Sequence, residues 1–208
     1  DKAFEMDMLG HPTGNDWNIP HVHHDIVEMP DGNFLALSQN DDSVEDVILE
    51  IGRENGFVEK VYDLKDILDP DRPKGPYHPD PADWMHLNGL EYDPIDDAII
   101  ASGRNQSAIV KLDRQSGNII WILGNHEKWP EEFQQYLLTP VGEDFEWQWG
   151  QHAPMLHPDD HSRLICFDNG NERSYSNPLS PANSYSRGVE YQINETNMEV
   201  RQLWQYGK

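Results

Sequence analysis

The chain has 208 residues, enough for one sizeable domain or for part of a larger one, and its 38 acidic against 15 basic side chains give a formal net charge of −23. A field of that sign excludes nucleic acid and anionic membrane surfaces as partners, and an anionic substrate would need a local positive site. Aromatic residues make up 10% of the chain, with seven Trp, so a core is within reach and the chain does not read as a disordered acidic tail.

From residue 20 onward the helical period is nearly absent, and short β-rich runs alternate with Pro, Gly, Asn and Asp, which predicts an all-β fold. The first unit, residues 20–64, holds a Pro30-Asp31-Gly32-Asn33 turn, Phe34–Leu37, Val47–Leu49, a turn at Arg53–Gly56 and Phe57–Tyr62. The second, residues 84–124, repeats it without a gap at an offset of 64, from Pro30 to Pro94 and from Ser38 to Ser102. There Ala98–Ala101, Ala108–Leu112, the turn Arg114–Gly117 and Asn118–Leu123 fill the matching places. The third, residues 150–207, follows at an offset of 66, from Ile99 to Ile165, with Val189–Ile193, a turn at Asn194–Asn197 and Met198–Tyr206 after it. Four strands per unit at a fixed period predict β-propeller blades, their first strands beginning near residues 22, 86 and 150. The connecting loops 65–83, 125–148 and 169–187 would lie on one face, where binding sites are commonly built. Pro130-Glu131-Glu132-Phe133 reads as the start of a short helix within 130–138. About three blades fall short of the four to eight of closed propellers, so the chain is expected to be a piece of a longer propeller, with a ring-closing homo-oligomer as the alternative.

Cys166 is the only cysteine, which leaves no intrachain disulfide and no cysteine-based zinc site, and its apolar neighbours predict a buried small hydrophobe. No run approaches the ~18 apolar residues of a membrane span, and no signal peptide is visible. The chain starts at Asp1 within ordinary globular sequence, which reads as a missing upstream segment.

Three histidines fall on the repeat. Side chains on an extended strand alternate, so His86 and Asn88 share a face. The offset of 64 carries Asn88 onto His24, and the offset of 66 carries His86 onto His152. These residues are therefore expected to converge on one channel, with His23 facing away. Arg104, in the Ser102–Ser107 loop after the second strand, has the planar fork that grips an oxyanion, although it could equally pair with a surface carboxylate. His11, His21, His78, His126, His157 and His161 lack the repeat argument and read as loop or surface residues.

The run Asp83-Trp84-Met85-His86-Leu87-Asn88-Gly89-Leu90-Glu91-Tyr92-Asp93-Pro94, with Ser102-Gly103-Arg104-Asn105-Gln106-Ser107, Trp121–His126, His23-His24-Asp25 and Gly150-Gln151-His152, resembles bacterial aryl-sulfate sulfotransferases over residues 20–170. The resemblance implies a six-bladed propeller with an extra N-terminal β domain, periplasmic or secreted. It implies transfer of a sulfuryl group from an aryl sulfate to a phenol, with no cofactor, metal or nucleotide donor. His152 would be the transiently sulfated nucleophile, with His24, His86, Asn88 and Arg104 lining the sulfuryl pocket. Two positions depart from the family pattern: Gly89 stands where Ser is usual, and Asn105 where His is usual.

The residue types suit that chemistry. Sulfuryl transfer is akin to phosphoryl transfer, where catalysis is positioning plus charge stabilisation on equatorial oxygens. A neutral imidazole is a competent nucleophile near neutral pH, and His24 or His86 could protonate the leaving phenolate and then deprotonate the incoming phenol. Trp84, Trp147 and Trp149 could sandwich the aryl ring, or simply pack the blades. Two other classes compete. In one, a metal-dependent hydrolase, His24, Asp25, His86 and His152 hold Zn or Mn; Arg104 and the lack of a carboxylate at the matched positions speak against it. The other is a non-catalytic propeller binding a partner on its loop face.

Overall fold

The computed structural model describes residues 1–75, 82–180 and 182–207. Strands β1 (Lys2–Met6) and β2 (Pro12–Asn18) form a hairpin. The first blade comprises β3 (Ile26–Glu28), β4 (Phe34–Ser38), β5 (Val47–Ile51) and β6 (Val58–Asp63), followed by the single helical turn α1 (Leu64–Ile67). The second comprises β7 (Leu87–Asp93), β8 (Ala98–Gly103), β9 (Ala108–Asp113) and β10 (Ile119–Gly124). Both are antiparallel meanders of four strands in chain order. The third contains β12 (His152–His157), β13 (Asp160–Asp168), β14 (Arg187–Asn194) and β15 (Glu199–Tyr206), and β11 (Thr139–Val141) joins the outer edge of β15 in parallel as a fifth strand. The expected helix near 130–138 is a 3-10 helix over Glu131–Tyr136, with Pro130 as its N-cap.

The repeated turns explain why the sequence closes in register. Gly56 and Gly117 end the Arg53–Gly56 and Arg114–Gly117 turns at φ +68 and +75, the left-handed conformation that costs glycine nothing. Between blades the strands' period of two sorts the apolar side chains. Leu35, Leu37 and Ile48 of the first blade meet Ile99, Ala101, Val110 and Leu112 of the second in one core. The alternate residues of the second blade, Ile100, Ile109, Trp121 and Leu123, meet Leu164, Cys166, Val189 and Tyr191 of the third. Each such fully buried aliphatic side chain contributes roughly 1.5–3 kcal/mol. Cys166 is a buried core residue as expected, and burial pushes its thiol pKa up.

The other face of the first blade is covered too: Phe34, Ala36, Val47, Leu49 and Ile51 pack on Trp17 and Ile19 at the end of β2. The far face of the third blade is bare, with Met155, Ile165, Phe167 and Trp204 each more than a third exposed. Ion pairs stitch the blades at their rims. Arg114 reaches Glu50 on the first blade and Asp97 on the second. Lys111, almost fully buried, bonds Asp93 and, across to the third blade, Glu195 at 2.8 Å.

Candidate functional site

The first strands of successive blades pack against one another, β7 touching both β3 and β12, so the starts of these strands share one wall. The side chains gathered there are the expected histidines, although the path to them differs from the simple alternation. The first strand begins at Ile26 rather than near 22, because His21 and His24 adopt φ of +48 and +49 and hold residues 21–25 in turns. Alternation applies only to extended backbone, and His24 is not extended. His23 therefore does not face away: its Nδ1 lies 2.9 Å from Nδ1 of His24, while its Nε2 donates to the Ser38 carbonyl at 3.0 Å. His86 adopts the same left-handed conformation, φ +54, immediately before β7. Its ring centroid is 5.2 Å from that of His24. The His86 carbonyl accepts from the Arg104 backbone N–H at 3.0 Å, which sets Arg104 beside it.

His152 opens β12, two residues later than the expected start near 150. Its Nδ1 lies 2.6 Å from Oδ1 of Asn169 and 3.2 Å from the Gly150 carbonyl. A backbone carbonyl can only accept, so Nδ1 carries the proton and Nε2 presents a lone pair. Burial pushes the His152 pKa down, the positive charge of Arg104 and neighbouring His86 push the same way, and the bonds to Asn169 and Gly150 oppose them. His24 is also lowered. Its ring is accessible, yet the protein around its base and the imidazoles of His23, His86 and His152 disfavour its charged form, against the pull of Glu45. The same proton count runs through the first blade. His23 donates from Nε2 to Ser38, so a neutral His23 must accept at Nδ1, and His24 donates from Nδ1 and keeps a bare Nε2.

Asn88 is buried, and its amide donates to the Gln151 carbonyl at 2.8 Å, which ties β7 to the residue before His152. Gln151, also fully buried, donates to Ser102 Oγ and to the carbonyls of Gly103 and Ala108. Gly89 is required for this approach, since a Cβ there would sit 2.5 Å from the Pro154 ring and 3.2 Å from the Ala153 nitrogen. Asn105, the second departure from the family pattern, is fully buried and donates to the Asp83 carbonyl at 2.9 Å.

Several residues depart from their expected places. Trp84 is in the core between the first two blades, its indole N–H on the Arg72 carbonyl at 3.0 Å, and it presents no face to an aryl ring. Trp149 is buried against Tyr175 and lines a cavity of about 620 Å³ with Phe145, Trp147 and Tyr185, none of them part of the histidine cluster. His126 lies in a loop, as expected, half-buried with its ring on the Leu138 carbonyl at 2.9 Å, whereas His161 is a half-buried residue of β13 that joins the third blade to Asp93 of the second at 2.8 Å. His78 lies outside the described residues. Carboxylates do join the cluster: Nδ1 of His86 is 2.7 Å from Glu45 and 2.8 Å from Asp83. Among the described residues, two groups therefore have a donor set for a metal ion, His23 with His24 and Glu45, and Glu45 with Asp83 and His86. Behind them Asp46 accepts from the backbone N–H groups of Met85 and His86, and burial raises its pKa to about 6.

Sequence gives Glu45 and Asn169 no part in the site, and Asp83 and Gln151 enter only as members of longer runs. For Asn169 the signal exists: the offset of 66 sets Asp168-Asn169-Gly170 opposite Ser102-Gly103-Arg104, the same stretch after the second strand that drew attention to Arg104. Glu45 and Asp83 lie in connecting loops, where no strand period marks a position.

Three blades, their first strands meeting at a wall of histidines with an arginine alongside, define a partial propeller with a polar site at its centre. The chain belongs to the arylsulfotransferase (ASST) family, whose model matches residues 1–208. It is 30% identical to the arylsulfate sulfotransferase AssT of Escherichia coli O6:H1, and equally to that of Lelliottia amnigena, over 99% of its own length in each case. The chain spans 44% of each of these relatives. Among solved structures it is similar to a putative 6-phosphogluconolactonase from Bacteroides fragilis, at 12% identity and a TM-score of 0.48, over 100% of this chain and 51% of that one. No helix among the described residues is long and apolar enough to cross a membrane.

Proposed function

We propose that the chain is the catalytic-site portion of an arylsulfotransferase that moves a sulfuryl group from an aryl sulfate to a phenol in two steps, through a sulfated histidine. The observation that carries this reading is the bare Nε2 of His152, set by the acceptors on its Nδ1 and flanked by Arg104 and His86. In the first step the Nε2 lone pair forms an N–S bond, the S–O bond to the aryl group breaks, and its electron pair leaves on the phenolate. The Arg104 guanidinium offsets charge on the sulfuryl oxygens, as a planar fork does for oxyanions. His86, whose Nδ1 faces the Glu45 and Asp83 carboxylates, protonates the phenolate, whereas His24, with its Nδ1 proton given to His23 and a bare Nε2, has none to spare. In the second step the acceptor phenol loses its proton to the same imidazole, its oxygen attacks sulfur, and the N–S electron pair returns to Nε2. Asn88 acts through the Gln151 backbone, holding β12 against β7. The family's setting suggests that the protein works in the periplasm or is secreted.

The test is sulfate exchange. The chain is incubated with an aryl sulfate and a second phenol, without nucleotide, and a mass increase of one sulfuryl group is sought on a peptide containing His152. A sulfated Tyr or Ser in its place would reject the assignment. One observation favours a second reading, a metal-dependent hydrolase: Glu45 completes a donor set with His23 and His24, and another with Asp83 and His86. That reading requires bound metal in purified protein, and hydrolysis abolished by chelation.

A further inference from the structure

The support behind His152 is built with more care than a strand end needs. Asn169 is held from both sides. The Asp168 carboxylate next to it accepts from the backbone N–H of Trp149 and that of Gly170, both at 2.9 Å. The other oxygen of Asp168, fully buried, takes Arg187 at 2.8 Å and Arg173 at 3.0 Å. The Trp149 carbonyl accepts from Gly170 N at 2.9 Å, closing the 149–150 and 168–170 segments into one bracket. The Asn169 carbonyl accepts from Ser186 Oγ at 2.8 Å. Two glycines make the bracket possible. Gly170 has φ +70, and a Cβ there would meet the Tyr185 carbonyl oxygen at 1.6 Å. Gly150 has φ +60, and a Cβ would press on the Asn171 side chain at 2.9 Å. The bracket fixes one side-chain oxygen, Asn169 Oδ1, 2.6 Å from His152 Nδ1.

We infer that Asn169 is a positioning residue that, as the nearer of two acceptors beside the more distant Gly150 carbonyl, keeps the proton on Nδ1 of His152 throughout the transfer cycle, so that Nε2 is always the atom that takes and gives up the sulfuryl group. The inference rests on the reading of His152 as the sulfated residue. Its chemical consequence concerns the intermediate. With Nδ1 protonated, the sulfated ring is a sulfo-imidazolium, and cleavage of its N–S bond returns the electron pair to a neutral imidazole. Without that proton the departing group would be an imidazolate, a far more basic leaving group. An acceptor at Nδ1 therefore both aims the nucleophile and keeps the intermediate able to react onward. The amide is also neutral. A carboxylate there would favour the imidazolium before the reaction and withdraw the lone pair, as any opposite charge favours the charged form. The charged and titratable groups facing the ring are Arg104, His86 and His24, from three neighbouring segments of the wall.

The test uses the full chain with ¹⁵N-labelled histidine, with the His152 signals assigned by their loss in His152→Gln. Without substrate at pH 8, long-range ¹H–¹⁵N spectra of the wild type are expected to show His152 protonated at Nδ1. Asn169→Ala should raise the Nε2–H tautomer at least about tenfold and lower kcat by roughly 10–100-fold, the usual cost of losing a residue that orients an imidazole, with KM little changed. Asn169→Asp, close in shape and so a control for folding, should keep the Nδ1–H form. It should move the acid limb of kcat/KM upward by about one pH unit. A wild-type ring protonated at Nε2, or an Asn169→Ala protein with unchanged tautomer and pH profile, overturns the proposal. The spectra need no turnover, so they test the support even in a chain that transfers nothing, whereas a sulfated residue other than His152 overturns only the reading on which the proposal rests.

Discussion

His86 and His152 sit on the same wall, and their surroundings differ in kind. The Nδ1 of His86 faces two carboxylates, Glu45 and Asp83, at 2.7 and 2.8 Å, on a segment anchored by a third, Asp46. The Nδ1 of His152 faces two neutral carbonyl oxygens, and the ring feels the positive charge of Arg104. Carboxylates are partners for a ring that must carry a proton to a leaving group, and neutral acceptors beside a guanidinium are partners for a ring that must offer a lone pair. In the proposed mechanism two chemically identical side chains take the parts of proton carrier and nucleophile according to what stands behind them, the general way in which one site runs acid and nucleophilic chemistry together.

The harshest test of that division is removal of the proposed nucleophile. His152→Ala should lower transfer by at least about 10³-fold with the fold intact, because a covalent route has no substitute for its attacking atom; circular dichroism and the exchange assay check both halves. Arg104→Lys should cost roughly 10²-fold in kcat, since a point charge cannot reproduce a fork that stabilises transition-state charge. Glu45→Gln probes the other half of the comparison. It should slow transfer by about tenfold with poor leaving groups and much less with good ones, as expected when a proton donor is weakened. A uniform loss across a series of aryl sulfates would reject His86 as the proton donor. The smallest effect is on stability. His24 and His152 are both held below the usual imidazole pKa, so the unfolded chain binds protons that the folded chain resists. Their contribution is complete above about pH 6.5 and is lost as pH falls through the folded values. The melting temperature should fall between about pH 7 and 5 through this linkage, and a His24→Gln/His152→Gln variant should show a shallower fall.

The blades were legible because their turns keep the same length. The step from Pro30 to Pro94 carries no gap, and the Gly56 and Gly117 turns repeat, so a one-dimensional offset maps onto three-dimensional equivalence. The offset placed His24 beside His86, but strand alternation failed at His23, because left-handed backbone at His24 replaces an extended strand and brings both rings to one side. Composition could not separate an indole that stacks on substrate from one that packs a core, and Trp84 is of the second kind. The carboxylates at Glu45 and Asp83 carry no mark of their own in an acidic chain that offers 38 of them, and only the fold says which two stand behind a histidine.

Cys166 lies between the second and third blades, 2% exposed, with its thiol pushed away from the reactive thiolate form. A thiol reagent reaches it only when that seam opens. Because it is the sole cysteine, its labelling rate is an internal clock for the separation of the blade that carries His152 from the blade that carries Arg104. A substrate that bridges the two should slow the clock, and its affinity can be read from the slowing without a single turnover.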